Sequence, residues 1–283
     1  SMLALAALLG IPVSAIAYGF LVLVAFIQQF IFEDLPADLY GSAPAWWPVP
    51  WLALCGLLTA LTIRYLPGTG GHSPALGFTT GGGPPSGRNL IGIALAALTS
   101  LSLGAVLGPE APLIAIGGGL AALTVRLAKK DAPPMAATVM GSAGSFAAVS
   151  TLLGSPLLGA FLIMEAAGIA GAALTLIALP GLLASGVGAL VFVGLDSWTG
   201  LGTFSLALTT VPPAGSPTIA TMLWAVPVGI MGALLGWVIR TAGLSLRPAV
   251  HRSRVPVTVV FGLLIGGCAM AYQLICGNTF TDV

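Results

Sequence analysis

The chain alternates between long apolar runs and short clusters that collect almost all of its charge. Runs of about 20 residues can cross a ~30 Å hydrocarbon layer, so the pattern predicts membrane helices. Ser1 to Phe32 is apolar apart from Gln28 and Gln29. At ~1.5 Å per residue it is too long to stand upright, which predicts a tilted helix bent or started at Pro12. Ser1-Met2-Leu3 open directly into this run with no charged leader, so it reads as a first membrane helix and not as a signal peptide. Glu33, Asp34 and Asp38 follow in an external loop, and Trp46, Trp47 and Trp51 mark an interface belt before a second helix, Trp51 to Leu66. Asn89 to Leu103 is a third span, and Glu110 opens a fourth that ends at Arg126, Lys129, Lys130 and Asp131.

From Ala136 to Ala148 the residues are mostly small, as close helix packing requires. Leu153-Gly154-Ser155-Pro156 breaks the run, and a short helix from Pro156 to Met164 leads to Glu165. Gly168 to Leu195 is a further span, interrupted at Pro180-Gly181. A loop over 196–216 precedes a long helix, Pro217 to Leu246, which ends near Arg240, Arg247, Arg252 and Arg254; Val255 to Ile275 is the last span. The positive-inside rule puts that basic loop in the cytoplasm, and parity puts the N-terminus there too. Pro67 to Pro74 and Gly81 to Arg88 are rich in Gly and Pro. Such irregular backbone belongs at the surface or against a protein-enclosed cavity, and Pro74 to Phe78 reads as a half-helix capped by Ser73.

Composition agrees with an all-α, polytopic membrane protein. The 283 residues are 57% hydrophobic and 6% charged, with mean hydropathy +1.06, whereas a soluble domain is about 25% charged. The net charge of +1 gives no reason to expect a nucleic-acid partner. Cys55, Cys268 and Cys276 lack metal-ligand spacing and read as small buried hydrophobes. His72 has no second ligand at metal spacing, so it reads as a loop residue, and no cofactor or metal is implied. A weak repeat pairs Ile11-Pro12-Val13 with Val226-Pro227-Val228, and Gly56-Leu57-Leu58 with Gly262-Leu263-Leu264. It divides the chain into a first transmembrane repeat (1–195), an external loop (196–216) and the beginning of a second repeat (217–283).

The chemistry concentrates in Gly104 to Gly119, where Glu110 stands between Pro109 and Pro112 in an otherwise uncharged run. A carboxylate in lipid costs roughly 2.5–3.5 kcal/mol even on an insertion scale, so Glu110 should face protein or a water-filled path. The two prolines bracket a helix start, where free N–H groups and the dipole favour an anion. Glu110 either occupies that site in competition with a dissolved anion or simply caps its own helix.

Gly108-Pro109-Glu110-Ala111-Pro112 resembles the Gly-Arg-Glu-Gly-Pro motif of the CLC chloride channels and chloride/proton antiporters. Gly141 to Glu165 is similar to the small-residue helix pair that follows it, and Gly70 to Pro74 falls where the family has Gly-Ser-Gly-Ile-Pro. The resemblance implies an inverted-repeat fold with re-entrant half-helices and an anion path at the bilayer midplane. Glu110 would be the gate that carries a proton, and Gly70, Gly71, His72, Ser73, Gly108 and Ala111 would border the anion. It further implies a homodimer in the cell membrane, with chloride as the substrate and protons as a second one. Four departures matter. Pro109 replaces an arginine and lacks an N–H, Gly71 stands where a coordinating serine is expected, and Ala166 replaces the second of two adjacent glutamates, leaving Glu165 as a structural carboxylate at a helix end. The family's later half-helix and its Phe- and Tyr-bearing motifs have no counterpart here, so the chain reads as incomplete at its C-terminus.

Two other classes compete. A transporter with inverted repeats for another anion, such as fluoride or nitrate, would use the same helix starts. An intramembrane enzyme would need more than Glu110, His72 and Ser73, and no Gly-x-Ser-x-Gly elbow occurs; the expectation is a protein that is not an enzyme.

Overall fold

The computed structural model describes residues 2–71, 84–129, 131, 133–166, 171–206, 216 and 218–276. Among these there is no strand. Six helical stretches are long and apolar enough to cross a membrane.

Helix α1 (Met2–Gln29) continues without a break through a π-helical turn, Phe30–Asp34, into α2 (Leu35–Tyr40). The expected acidic loop is therefore helical. Glu33, Asp34 and Asp38 lie exposed while Ile31, Phe32 and Pro36 are buried, so the helix outlasts the apolar run because its inner face still packs. Pro12 sits inside α1 rather than at its start. Helix α3 (Pro48–Tyr65) begins beside the end of α1, where the Trp47 indole donates to the Ile31 carbonyl at 2.8 Å.

Helix α4 (Gly87–Ser102) starts next to the end of α3: a Cβ on Gly68 would lie 2.5 Å from the Asn89 carbonyl oxygen. It ends back at α1, where the Gln28 amide donates to the Leu101 carbonyl at 2.9 Å. Helix α5 (Glu110–Ala128) runs antiparallel to α4, since Gly119 faces Leu90 and Leu123 faces Gly87. Helix α6 (Pro134–Ala148) reverses again, and a short α7 (Pro156–Ala166) precedes α8 (Ala172–Thr199). Pro180 does not interrupt α8. A membrane helix tolerates an interior proline when neighbours support it, and here the buried ring of Phe146 packs against Gly181, the next residue.

Helix α9 (Ile219–Arg252) carries Arg240, Arg247 and Arg252 as part of the helix, so the expected basic loop shrinks to Ser253 before α10 (Arg254–Cys276). Its 34 residues reach ~51 Å, well beyond a ~30 Å layer, so it crosses obliquely or projects from it. Helix α10 packs antiparallel to α3 over a glycine seam, with Gly56 on Thr258, Gly262 on Leu52 and Gly266 on Val49. Cys55 is buried as expected, but Cys268 is exposed on the face of α10 turned away from the glycine seam and Cys276 is exposed as the last residue of the helix.

These contacts fix two sides. Arg64, Arg88, Arg126, Lys129, Arg252 and Arg254 all belong to the end of the bundle where α3 stops and α4 and α10 start. Glu33, Asp34, Asp38 and the Trp46–Trp47–Trp51 belt lie at the other. The distribution is the charge asymmetry of a multi-pass membrane protein, with the basic and acidic residues at opposite ends of its helices.

Candidate functional site

The site begins where α4 stops. Gly104 turns the chain at φ +89°, and a Cβ there would stand 2.7 Å from Cζ of the buried Phe32, so backbone conformation and space both require glycine. The Gly104 and Ala105 amides donate to the Leu101 and Ser100 carbonyls at 3.3 and 3.1 Å, which ties the turn to α4. The chain then leaves the wall: Val106 is 94% exposed, and Leu107 and Gly108 are exposed as well. Pro109 caps α5, and Glu110 is its first residue.

Two prolines thin out the donors of this helix start. Pro109 and Pro112 have no N–H, and the Leu113 amide is spent on the Pro109 carbonyl at 3.0 Å. The N–H groups of Glu110 and Ala111 remain, with no acceptor recorded among the described residues. The half-buried Glu110 side chain folds back over Gly108, where an added Cβ would lie 2.6 Å from its Cδ. The carboxylate thus rests beside the positive end of α5, a placement worth about 0.3–1 kcal/mol at a helix end. Any anion drawn to the same two donors meets that carboxylate first.

Helix α6 holds α5 in place. Gly117 and Gly144 pack backbone to backbone, and Gly118 lies against Gly141 and Ser145. The Ser145 hydroxyl donates to the Ile114 carbonyl at 2.9 Å, one turn below Glu110. Small residues on both helices make this contact possible.

Glu110, Gly108 and Ala111 form one group. Gly70 and Gly71 lie apart from it, in the loop after α3, against Ile63 of α3 and Ile93 and Ala96 of α4, and Ala96 is six residues or roughly 9 Å along the axis from Ser102. Gly68, Thr69, Gly70 and Gly71 all have positive φ, so this loop is as tightly coiled as its composition suggests. His72 and Ser73 lie outside the described residues, as does the expected half-helix from Pro74 to Phe78. Glu165 is exposed in the last turn of α7, at the end where α8 begins.

Two features escape a reading of residue types. Gln28 ties the end of α4 to α1 through its amide. Ser102, 2% exposed, has a hydroxyl with no partner recorded among the described residues, directly before the Gly104 turn. In sequence each is one of a few polar residues at the end of an apolar run, with nothing to single it out.

The profile of the voltage gated chloride channel family matches residues 55–282. Proteins carrying the name "Putative ion-transport protein YfeO" from Salmonella paratyphi A and Salmonella schwarzengrund are each 32% identical to the chain over 163 residues. That match takes in 56% of this chain and 38% of each relative, so the chain spans well under half the length of the relatives it matches.

Proposed function

The chain belongs to the voltage gated chloride channel family, and from that premise we propose that it contributes an anion pathway with Glu110 as its gate. The observation that carries this reading is the Glu110 carboxylate folded over Gly108 at a helix start whose two remaining donors belong to Glu110 and Ala111. Ionised, the side chain is a built-in competitor for the site. Protonated, it loses its charge, and a chloride takes the donors. Gly108 and Ala111 border the anion directly at Glu110, and the loop carrying Gly70, Gly71, His72 and Ser73 would line its path further along, from the opposite end of α4.

Residues 1–195 would form the first repeat of the transporter and 217–283 the beginning of a second, with 196–216, whose first four residues finish α8, joining them on the outer side. The outer faces of α7 and α8, rich in exposed Leu and Phe such as Leu158, Phe161 and Leu179, meet a second copy in a homodimer. Ala166 beside Glu165 favours weak proton coupling, because one of two adjacent carboxylates is missing. The relatives' ion-transport name supports transport over an enzyme.

The test is chloride efflux from liposomes holding the protein expressed from its intact gene, with external pH recorded, for wild type and Glu110→Ala. Chloride efflux that drives proton uptake in wild type alone makes Glu110 a proton-carrying gate. Efflux without proton movement makes the protein channel-like, and no flux of any halide, nitrate or fluoride from folded protein refutes the reading.

A further inference from the structure

The π-helical turn, Phe30–Asp34, leaves the Ile31 carbonyl without a helical partner. The Leu35 amide donates to the Phe30 carbonyl, and Pro36, which would serve Ile31 in the same register, has no N–H. Ile31 is buried, so its carbonyl needs a donor from elsewhere. The Trp47 indole supplies it at 2.8 Å, which fastens the turn to the start of α3. Phe32, the next residue, also faces inward. Its ring is buried in one cluster with Ile31, Trp47, Cys55 and Leu103, and its Cζ is the atom that a Cβ on Gly104 would meet at 2.7 Å.

Glu110 and Gly108 are held by different parts of the bundle. Glu110 belongs to α5, which α6 supports through Gly117, Gly144 and Ser145. Gly108 follows the Gly104 turn, which α1 and α3 support: Gln28 donates to the Leu101 carbonyl, the Cys55 thiol to the Ser100 carbonyl at 3.6 Å, and the Phe32 ring lies against Gly104. Val106, Leu107 and Gly108 are exposed, so the place of Gly108 beneath the carboxylate depends on the turn behind it. We propose that Phe32, fastened through Ile31 by Trp47, is a positioning residue for the Glu110 gate, propping the Gly104 turn that keeps Gly108 beneath the carboxylate. This rests on the reading of Glu110 as a gate. A ring that only fills space alters stability alone. A positioning ring alters how strongly the carboxylate competes with chloride, and does so only while that carboxylate is present.

The experiment is calorimetric chloride titration of the protein expressed from its intact gene, at acid and at mildly alkaline pH, with thermal unfolding in the same detergent. Phe32→Leu, which withdraws the ring from Gly104, should bind chloride about threefold or more tightly than wild type at alkaline pH. At acid pH, where a protonated Glu110 no longer competes, it should bind like wild type. Phe32→Met, which is long and apolar, should keep the wild-type profile. Trp47→Phe removes the donor to Ile31 and should follow Phe32→Leu. In the Glu110→Ala background neither Phe32→Leu nor Trp47→Phe should change affinity. A wild-type profile from folded Phe32→Leu and Trp47→Phe, or the same shift in the Glu110→Ala background, overturns the positioning role while leaving the gate intact. Glu110→Ala indistinguishable from wild type overturns the gate reading, and the proposal with it. Should Phe32→Leu fail to fold, Trp47→Phe with and without Glu110→Ala decides.

Discussion

Gly108 and Glu110 share one space: the Glu110 carboxylate fills the position that a side chain on Gly108 would need, with Cδ 2.6 Å from an added Cβ. A methyl group at 108 and the carboxylate in its present place exclude each other. Gly108→Ala should therefore expel the carboxylate from the helix start without altering its charge, at a cost of about 0.3–1 kcal/mol of helix-end stabilisation. In liposome efflux this variant should resemble Glu110→Ala more than wild type. Wild-type flux and pH response from Gly108→Ala would show that the folded-back carboxylate has no part in gating.

Ala111 offers one of the two open donors, and proline is accepted in a first helical turn. Ala111→Pro should leave α5 intact while weakening chloride binding about tenfold or more, because a hydrogen bond to an ion is worth about 1.5–3 kcal/mol. Calorimetric titration measures it, and unchanged affinity in a folded variant would remove Ala111 from the site.

The α5–α6 contact ranks two substitutions. A Cβ on Gly144 would stand 2.5 Å from the Ala121 Cβ and 3.1 Å from the Gly117 carbonyl carbon, so Gly144→Ala should destabilise by about 1–3 kcal/mol through overpacking. Ser145→Ala loses the 2.9 Å bond to Ile114, and such bonds in membranes average about 0.6 kcal/mol. Thermal unfolding in detergent should order them Gly144→Ala below Ser145→Ala below wild type.

The α3–α10 seam makes a similar claim for the last helix. Gly262 packs on Leu52, with an added Cβ only 2.9 Å from the Leu52 carbonyl carbon, so Gly262→Leu should detach α10. Cysteines at exposed Leu263 and Leu264 should label freely, whereas one at the buried Leu52 should not. Equal stability of Gly262→Leu and wild type would contradict the seam.

Much of this arrangement is legible in sequence because lipid allows few solutions. Apolar run length predicts the spans, charge asymmetry predicts the sides, and Pro109 and Pro112 predict the start of α5 at Glu110. The errors share a cause. Glu33, Asp34 and Asp38 look like a loop because they are charged, yet Ile31, Phe32 and Pro36 give the same segment a buried face. Pro180 looks like a break because its ring disrupts a free helix, and only the packing of Phe146 on Gly181 reveals the support it receives. The Gly108–Glu110 overlap and the unpartnered Ser102 hydroxyl depend on rotamer and position, which residue types do not encode.

The central claim is competition between the Glu110 carboxylate and an anion for one helix start. Chloride affinity of the purified protein, titrated across pH for wild type and Glu110→Ala, tests it most directly. Protonation removes the competing charge, so wild-type affinity should weaken as pH rises while the variant binds more tightly and without pH dependence. Equal, pH-independent chloride affinity in both proteins would contradict the claim and leave Glu110 as the cap of its own helix.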